Sequence, residues 1–111
     1  MLLKQTMLGG IAMALDEKLR TTQVDDLFNA ILKIETPEEA YKFFEDLCTI
    51  AEIRSMAQRW AVARKLDAGE TYIDIAAETG ASTATISRVK RYLEYGADGY
   101  RLVLDRMKTN F

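Results

Sequence analysis

Histidine is absent from this 111-residue chain, and cysteine, proline and tryptophan each occur once. The chain therefore lacks the commonest general base and the commonest metal ligand, and one cysteine cannot complete a zinc site. The lone Cys48 also rules out an internal disulfide, and its place in an apolar helical pattern is typical of a buried thiol in a reducing compartment. We expect a protein that holds no metal and no cofactor.

Long apolar runs are missing as well, so the sequence predicts no membrane-spanning helix. Hydrophobic residues make up 49% of the chain and charged residues 29%, which is the composition of a globular protein. A chain of this length forms one domain, and it is small enough that a partner subunit would help to bury apolar surface. These features indicate a cytoplasmic protein.

The first 21 residues are predicted to form a flexible segment, because the apolar part of "MLLKQTMLGGIAM" is short and broken by two glycines. The tripeptide at residues 8–10 can be encoded by codons that contain AGGAGG, a ribosome-binding sequence, a few bases upstream of the Met13 codon. We hypothesise that translation naturally starts at Met13 and that residues 1–12 are upstream sequence. Mass spectrometry of the protein from its native host would decide between the two starts.

From Thr22 onward the apolar residues recur at helical spacing, and no alternating run predicts a strand. Thr36-Pro37 marks the start of a second helix, and Thr49 with Glu52 predicts a capping box at the start of a third, which Gly69 ends. The apolar stripes of these three helices comprise Val24, Leu27, Phe28, Ile31 and Leu32, then Ala40, Phe43, Phe44, Leu47 and Cys48, and then Ile53, Met56, Ala57, Trp60, Ala61 and Leu66.

Three further helices follow, so that the sequence predicts an all-α fold. Thr71 and Ser82 are the predicted N-caps of a short fourth helix and of a fifth, and "GADG" separates the fifth from the last. Residues 22–48 are predicted to form a helical dimerisation arm, and residues 49–111 the rest of the same domain. The first two helices pack either against their own chain or against a second copy. We favour the second copy, through Leu27, Phe28, Ile31, Phe43, Phe44 and Leu47.

The segment "ETGASTATISRVKRY", residues 78–92, has the spacing of a helix-turn-helix. Such a motif needs a small residue where its helices cross, a turn residue able to adopt positive φ, and aliphatic side chains behind the second helix. Ala76 and Gly80 fit the first two positions, and Ile75, Ile86 and Val89 fit the third. A helical hairpin with a merely solvated basic face is the alternative interpretation.

The outward arc of the fifth helix combines small hydroxyl residues with cations, which suits a helix that enters the DNA major groove. Its N-terminal residues would face base edges, whereas Lys90 and Arg91 are better placed for phosphates. The start of the fourth helix can add contacts to the DNA backbone. The predicted DNA-binding residues are Thr71, Tyr72, Thr83, Ala84, Thr85, Ser87, Arg88, Lys90 and Arg91.

The net charge of −2 is compatible with DNA binding because the acidic residues are concentrated in the first half. Residues 1–48 hold five basic and nine acidic side chains, and residues 49–111 hold ten basic and eight acidic ones. This mild positive balance predicts weak non-specific affinity for DNA, which a dimer would raise by doubling the contacts.

Four stretches resemble the Trp repressor superfamily, and most closely its YerC/YecD branch: "LFNAILKIETPEEAYKFFEDLCTIAEI", "MAQRWAVARKL", "GETYIDIAAETGASTATISRVKR" and "LEYGADGYRLVLDRM". The resemblance runs from about Thr22 to Met107. It implies six helices per chain, an intertwined homodimer built from the N-terminal helices, and a transcriptional regulator that binds double-stranded DNA.

The resemblance also implies a position for a small-molecule effector. Arg59 and Arg88 match the two arginines that hold tryptophan in the Trp repressor, and Thr49 matches a threonine beside the ligand. Val89 stands where the tryptophan-binding members have glycine, and Tyr92 where they have serine. Since the isopropyl group of Val89 occupies the space of the indole ring, we predict that free tryptophan does not regulate this protein. A different effector between the two arginines is the alternative.

Two other functions compete with DNA binding. A helical interaction module that docks on the transcription machinery is the first, and it would protect no site in a DNA footprint. An enzyme is the second and weaker one. Adjacent carboxylates such as Glu38 and Glu39 diverge around a helix, and so do not share an acid–base site.

Overall fold

The computed structural model describes residues 17–109, and within this range it contains helices and no strand. None of the helices in this range is long and apolar enough to cross a membrane. The chain divides into two compact units, one ending at Leu47 and the other beginning at Cys48. The Met13 hypothesis lies outside the described residues, as does most of the segment predicted to be flexible, although residues 17–19 are helical.

The first unit contains α1 (Thr22–Ile31) and α2 (Pro37–Leu47). The N–H of Glu39 donates to Thr36 Oγ1 at 3.2 Å, as predicted for the start of α2, and the Glu39 carboxylate accepts from the N–H of Glu35 at 2.9 Å. Phe43 and Phe44 meet edge to face, with ring centroids 5.5 Å apart.

The apolar stripes of α1 and α2 are only partly buried in the described part of the chain. Neither helix contains a buried residue. Phe28 is 55% exposed and Leu47 is 49% exposed, whereas Leu27, Ile31, Phe43 and Phe44 are half-buried. Large apolar side chains left in water at helical spacing are typical of a surface that another chain covers.

The second unit contains α3 (Ile50–Asp67), α4 (Tyr72–Thr79), α5 (Thr83–Tyr95) and α6 (Gly99–Thr109). Helix α3 packs against α4 and α5, α4 packs against α5, and α5 packs against α6. Its core is formed by Val62, Ala63, Ile75, Ala81, Ile86 and Val89, with Trp60, Leu66, Tyr72, Ala76 and Tyr100 packed around them. The all-α prediction is confirmed, and the six predicted helices correspond to α1–α6.

The local signals for helix ends act as predicted. The capping box at the start of α3 forms, with Thr49 and Glu52 exchanging hydrogen bonds of 3.1 and 2.8 Å. After α3, Gly69 adopts a φ of +84°, and the N–H of Glu70 donates to the carbonyl of Lys65 at 3.1 Å. This pattern is a Schellman motif, which glycine favours because of the positive φ.

The prediction for α3 is wrong in part. The expected stripe included Met56, Ala57 and Ala61, but the two fully buried residues of the helix are Val62 and Ala63. Met56 and Ala57 are exposed. Helix α3 is apolar on more than one face, so spacing alone did not identify the face that its own unit buries.

Candidate nucleic-acid interface

The turn between α4 and α5 has the geometry of a helix-turn-helix. Gly80 adopts a φ of +74°, and its N–H donates to the carbonyl of Ala76 at 2.9 Å, which ends α4. Ser82 then caps α5, because its Oγ accepts the N–H of Thr85 at 3.1 Å. The left-handed backbone conformation explains why glycine stands at position 80.

Two side chains that the sequence analysis did not single out fix this turn. Thr79 Oγ1 donates to the carbonyl of Ile75 at 2.7 Å and accepts the N–H of Ala81 at 3.1 Å. Gln58 of α3 donates to the carbonyl of Thr79 at 3.2 Å. A threonine directly before the turn glycine could have indicated the first pair of bonds, whereas the Gln58 bond spans 21 residues and has no local signal.

The inner face of α5 is held in the core. Ile86 is 0% exposed and Val89 1%, and both belong to the cluster that contains Ile75 of α4 and Val62 of α3. Leu93 is half-buried. The three aliphatic residues predicted to hold the second helix of the motif, Ile75, Ile86 and Val89, are therefore all buried.

The outer face of α5 carries its polar and basic residues. Thr83, Ala84, Ser87, Arg88 and Arg91 are exposed. Thr85 differs from them, because it is half-buried and its Oγ1 accepts a hydrogen bond from Ser82 Oγ at 3.1 Å. At the start of α4, Thr71 is exposed and caps the helix by accepting the N–H of Asp74 at 3.2 Å, while Tyr72 is half-buried.

The cations of α5 differ in their electrostatic surroundings. Arg88 and Arg91 form no ion pair with any residue between positions 17 and 109. Lys90 pairs with Glu94, with 4.0 Å between Nζ and the carboxylate, and its Nζ lies 5.7 Å from the ring centroid of Tyr72. The two arginines thus present uncompensated positive charge on the outer face.

Several carboxylates of the second unit are engaged in bonds between helices. Glu78 of α4 forms a hydrogen-bonded ion pair with Lys65 of α3, which lowers the pKa of Glu78 and raises the pKa of Lys65. Asp67, only 12% exposed, accepts from Lys108 at 2.7 Å and from Arg101 at 2.8 Å. These hydrogen bonds, from Lys108 first and Arg101 second, hold the pKa of the Asp67 carboxyl below its usual value.

Two of the five residues predicted to form an effector pocket are committed to other contacts, and the other three are exposed. Val89 lies in the core, and the hydroxyl of Thr49 serves as the N-cap of α3. Arg59 and Arg88 are exposed on helices that pack together, and Tyr92 is 40% exposed. A cavity of about 270 Å³ is lined by residues of α3 and α6 and by Ala68. None of the five residues predicted to form the effector pocket lines this cavity.

Comparisons with known proteins agree with this geometry. The profile of the Trp repressor protein family matches residues 22–108. The uncharacterised protein YerC of Bacillus subtilis is 61% identical over 92 residues, which is 83% of this chain and 88% of YerC. The crystal structure of a candidate Trp repressor from Staphylococcus aureus is 56% identical and superposes with a TM-score of 0.79 over 83% of this chain and 92% of that one. A TrpR-like protein of Eubacterium eligens is also 56% identical, with a TM-score of 0.80 over 84% of this chain and 96% of its own. This chain belongs to the Trp repressor family, in the branch that contains YerC.

Proposed function

We propose that this protein is a homodimeric, sequence-specific regulator of transcription that acts in the cytoplasm and binds double-stranded DNA through α5. The observation that carries the proposal is the division of α5 into two faces. One face is buried through Ile86 and Val89, and the other exposes Arg88 and Arg91 without acidic partners in the described chain. Membership of a regulator family, as opposed to an enzyme family, supports the same conclusion.

The dimensions of α5 suit the major groove. The helix has 13 residues and is therefore about 20 Å long, and the groove is about 12 Å wide. Thr83, Ala84 and Ser87 lie on the exposed side of its first two turns, where a recognition helix meets base edges. Arg88 and Arg91 follow in the next turns, within reach of guanine or phosphate oxygens.

A second copy of the chain is the proposed cover for α1 and α2. The apolar residues Leu27, Phe28, Ile31, Phe43, Phe44 and Leu47 remain half-buried or exposed in the single chain. A twofold dimer through this surface presents two α5 helices to one duplex. Such a dimer recognises two half-sites related by twofold symmetry and separated by about one helical turn, or a multiple of it.

Tryptophan is not expected to regulate this DNA binding. The Val89 side chain packs in the core, so an indole ring could enter its space only by displacing it, at a cost of about 1–3 kcal/mol. We expect tryptophan at about 1 mM, the upper end of typical enzyme KM values, to leave the Kd for DNA unchanged. A tenfold or larger decrease in Kd would refute effector independence.

The proposal is tested by genome-wide capture of the DNA that the protein binds. Footprinting and binding assays on the captured site follow. We expect Arg88→Ala and Arg91→Ala each to weaken binding by about fivefold to 150-fold, because each removes a charged contact worth about 1–3 kcal/mol. Arg106→Ala is the matched control, since Arg106 is an exposed arginine on α6. Sedimentation of the variants checks that the dimer is intact.

Two results would contradict the proposal. Equal binding by the parent and by both α5 variants would show that α5 is not the recognition helix. A protein that protects no site at moderate salt would favour the alternative function, a helical module that docks on the transcription machinery.

A further inference from the structure

Lys90 and Tyr72 form a contact between the two helices of the helix-turn-helix. The ammonium nitrogen lies 5.7 Å from the ring centroid, within the range of about 6 Å for a cation–π interaction. Tyr72 lies eight residues before Gly80, and Lys90 lies eight residues after Ser82. At 1.5 Å per residue, the contact therefore joins α4 and α5 about 12 Å from the turn.

The tyrosine ring is itself held in place. Tyr72 is half-buried and packs against the core cluster, which contains Ile86 and Val89 of α5. The turn fixes one end of the helix pair and the aliphatic cluster fixes its middle. A cation resting on an anchored ring adds a third fixed point, and three points define the angle at which α5 crosses α4.

The ammonium group of Lys90 also has an acidic partner within the protein. The Glu94 carboxylate, one turn further along α5, lies 4.0 Å from the ammonium nitrogen. A phosphate group would have to compete with both the carboxylate and the ring for this ammonium. Arg88 and Arg91 have no such partners among the described residues, so their guanidinium groups are available to DNA.

We propose that Lys90 is a positioning residue, which sets the angle between α4 and α5 through Tyr72, and that Arg88 and Arg91 supply the charge that neutralises phosphates. This assignment differs from the sequence-based expectation that Lys90 contacts a phosphate. It rests on the proposed function, because the angle matters only when α4 and α5 meet the same duplex. Binding to the specific site requires the correct angle between α4 and α5, whereas non-specific binding is compatible with a range of angles.

The test measures the Kd of the full-length protein for the captured site and for an unrelated duplex of equal length, over a range of salt concentrations. Lys90→Met keeps an unbranched side chain and removes the charge. We expect it to weaken specific binding about fivefold, to leave non-specific binding unchanged, and to leave the slope of log K against log salt unchanged. Arg91→Met is the matched control, and should weaken binding to both duplexes and reduce the slope by about 0.9 for each phosphate that the variant no longer neutralises.

A conservative variant separates positioning from general damage to the fold. Lys90→Arg retains a cation beside the Tyr72 ring, so it should bind the specific site as the parent does. Tyr72→Leu should weaken specific binding about fivefold, and adding Lys90→Met to it should weaken binding little further.

The positioning role is overturned by any of three results: a slope reduced by about 0.9 in Lys90→Met, parental specific affinity in Lys90→Met, or fully additive effects in the double variant. A parent protein that binds neither duplex would overturn the proposed function instead. The two failures are therefore distinguishable.

Discussion

Gly96 lies where α5 ends, and it needs to be glycine for reasons of space and not of φ. Its φ of −83° is open to any residue, but a Cβ atom there would lie 2.4 Å from the carbonyl oxygen of Tyr92. We expect Gly96→Ala to lower the free energy of unfolding by about 1–3 kcal/mol, because the backbone must shift to admit the methyl group. Urea denaturation measures this decrease.

Gly99→Ala is the control for Gly96→Ala, since a Cβ atom at residue 99 would have no atom within 4 Å apart from its chain neighbours and the nearby backbone of its own helix. It should leave the midpoint of unfolding close to that of the parent. Equal destabilisation of the two variants would show that the contact with Tyr92 is not the cause.

The sequence predicted some residues of the site well and others poorly. Burial of Ile86 and Val89 follows from helical spacing, which is a local property, and it could be predicted. The requirement at Gly96 depends on where one carbonyl oxygen points, and the bond from Gln58 to Thr79 depends on how α3 crosses α4. Neither is encoded in the spacing of nearby residues, so neither was predicted.

Among the helices, α3 and α6 are joined by an ion-pair cluster around Asp67. This carboxylate accepts from both Arg101 and Lys108, and these bonds hold its pKa below the ordinary value. A carboxyl whose pKa is lowered on folding stabilises the protein above its unfolded pKa of about 3.9. The contribution is then lost as the pH falls through the lower folded pKa.

We therefore expect Asp67→Asn to lower stability by about 1 kcal/mol at pH 7, a modest value because both partner cations are exposed to solvent. Thermal unfolding between pH 7 and pH 2 measures it, and the difference from the parent should shrink below about pH 4. Asp105→Asn is the control, since Asp105 is 58% exposed and 3.5 Å from Arg101. A difference for Asp67→Asn that stays constant down to pH 2 would contradict this account.

Helix boundaries were easier to predict than helix faces. Thr49, Thr71 and Ser82 cap their helices through bonds to residues three positions ahead, so the signal is contained in four residues. The face that α3 buries is decided by α4 and α5, which meet Val62 and Ala63. Because α3 is apolar on several sides, its sequence permits more than one packing.

At the scale of the whole molecule, the exposed stripes of α1 and α2 predict a dimer. The 12.6 kDa chain should sediment at about twice that mass. Phe28→Glu should shift it toward the monomer, because a carboxylate would be buried without a partner in the proposed interface. Since Phe28 is 55% exposed in the single chain, the substitution should spare the fold of the protomer itself.

Asn29→Glu introduces the same side chain at an exposed neighbouring position off the apolar stripe of α1, and should leave the dimer intact. Sedimentation velocity across a range of concentrations compares the two variants. A parent that sediments as a monomer, or a dimer that survives Phe28→Glu, would remove α1 from the proposed interface.

The most direct test of the central claim, that the outer face of α5 enters the major groove, is methylation protection by dimethyl sulfate on the captured DNA site. This reagent modifies guanine N7 in the major groove and adenine N3 in the minor groove, so the two grooves are distinguished in one experiment. We predict protection of guanine N7 in two half-sites, and weaker protection in Arg88→Ala or Arg91→Ala at the same protein concentration. Protection confined to adenine N3, or major-groove protection that is unchanged in both variants, would contradict the account.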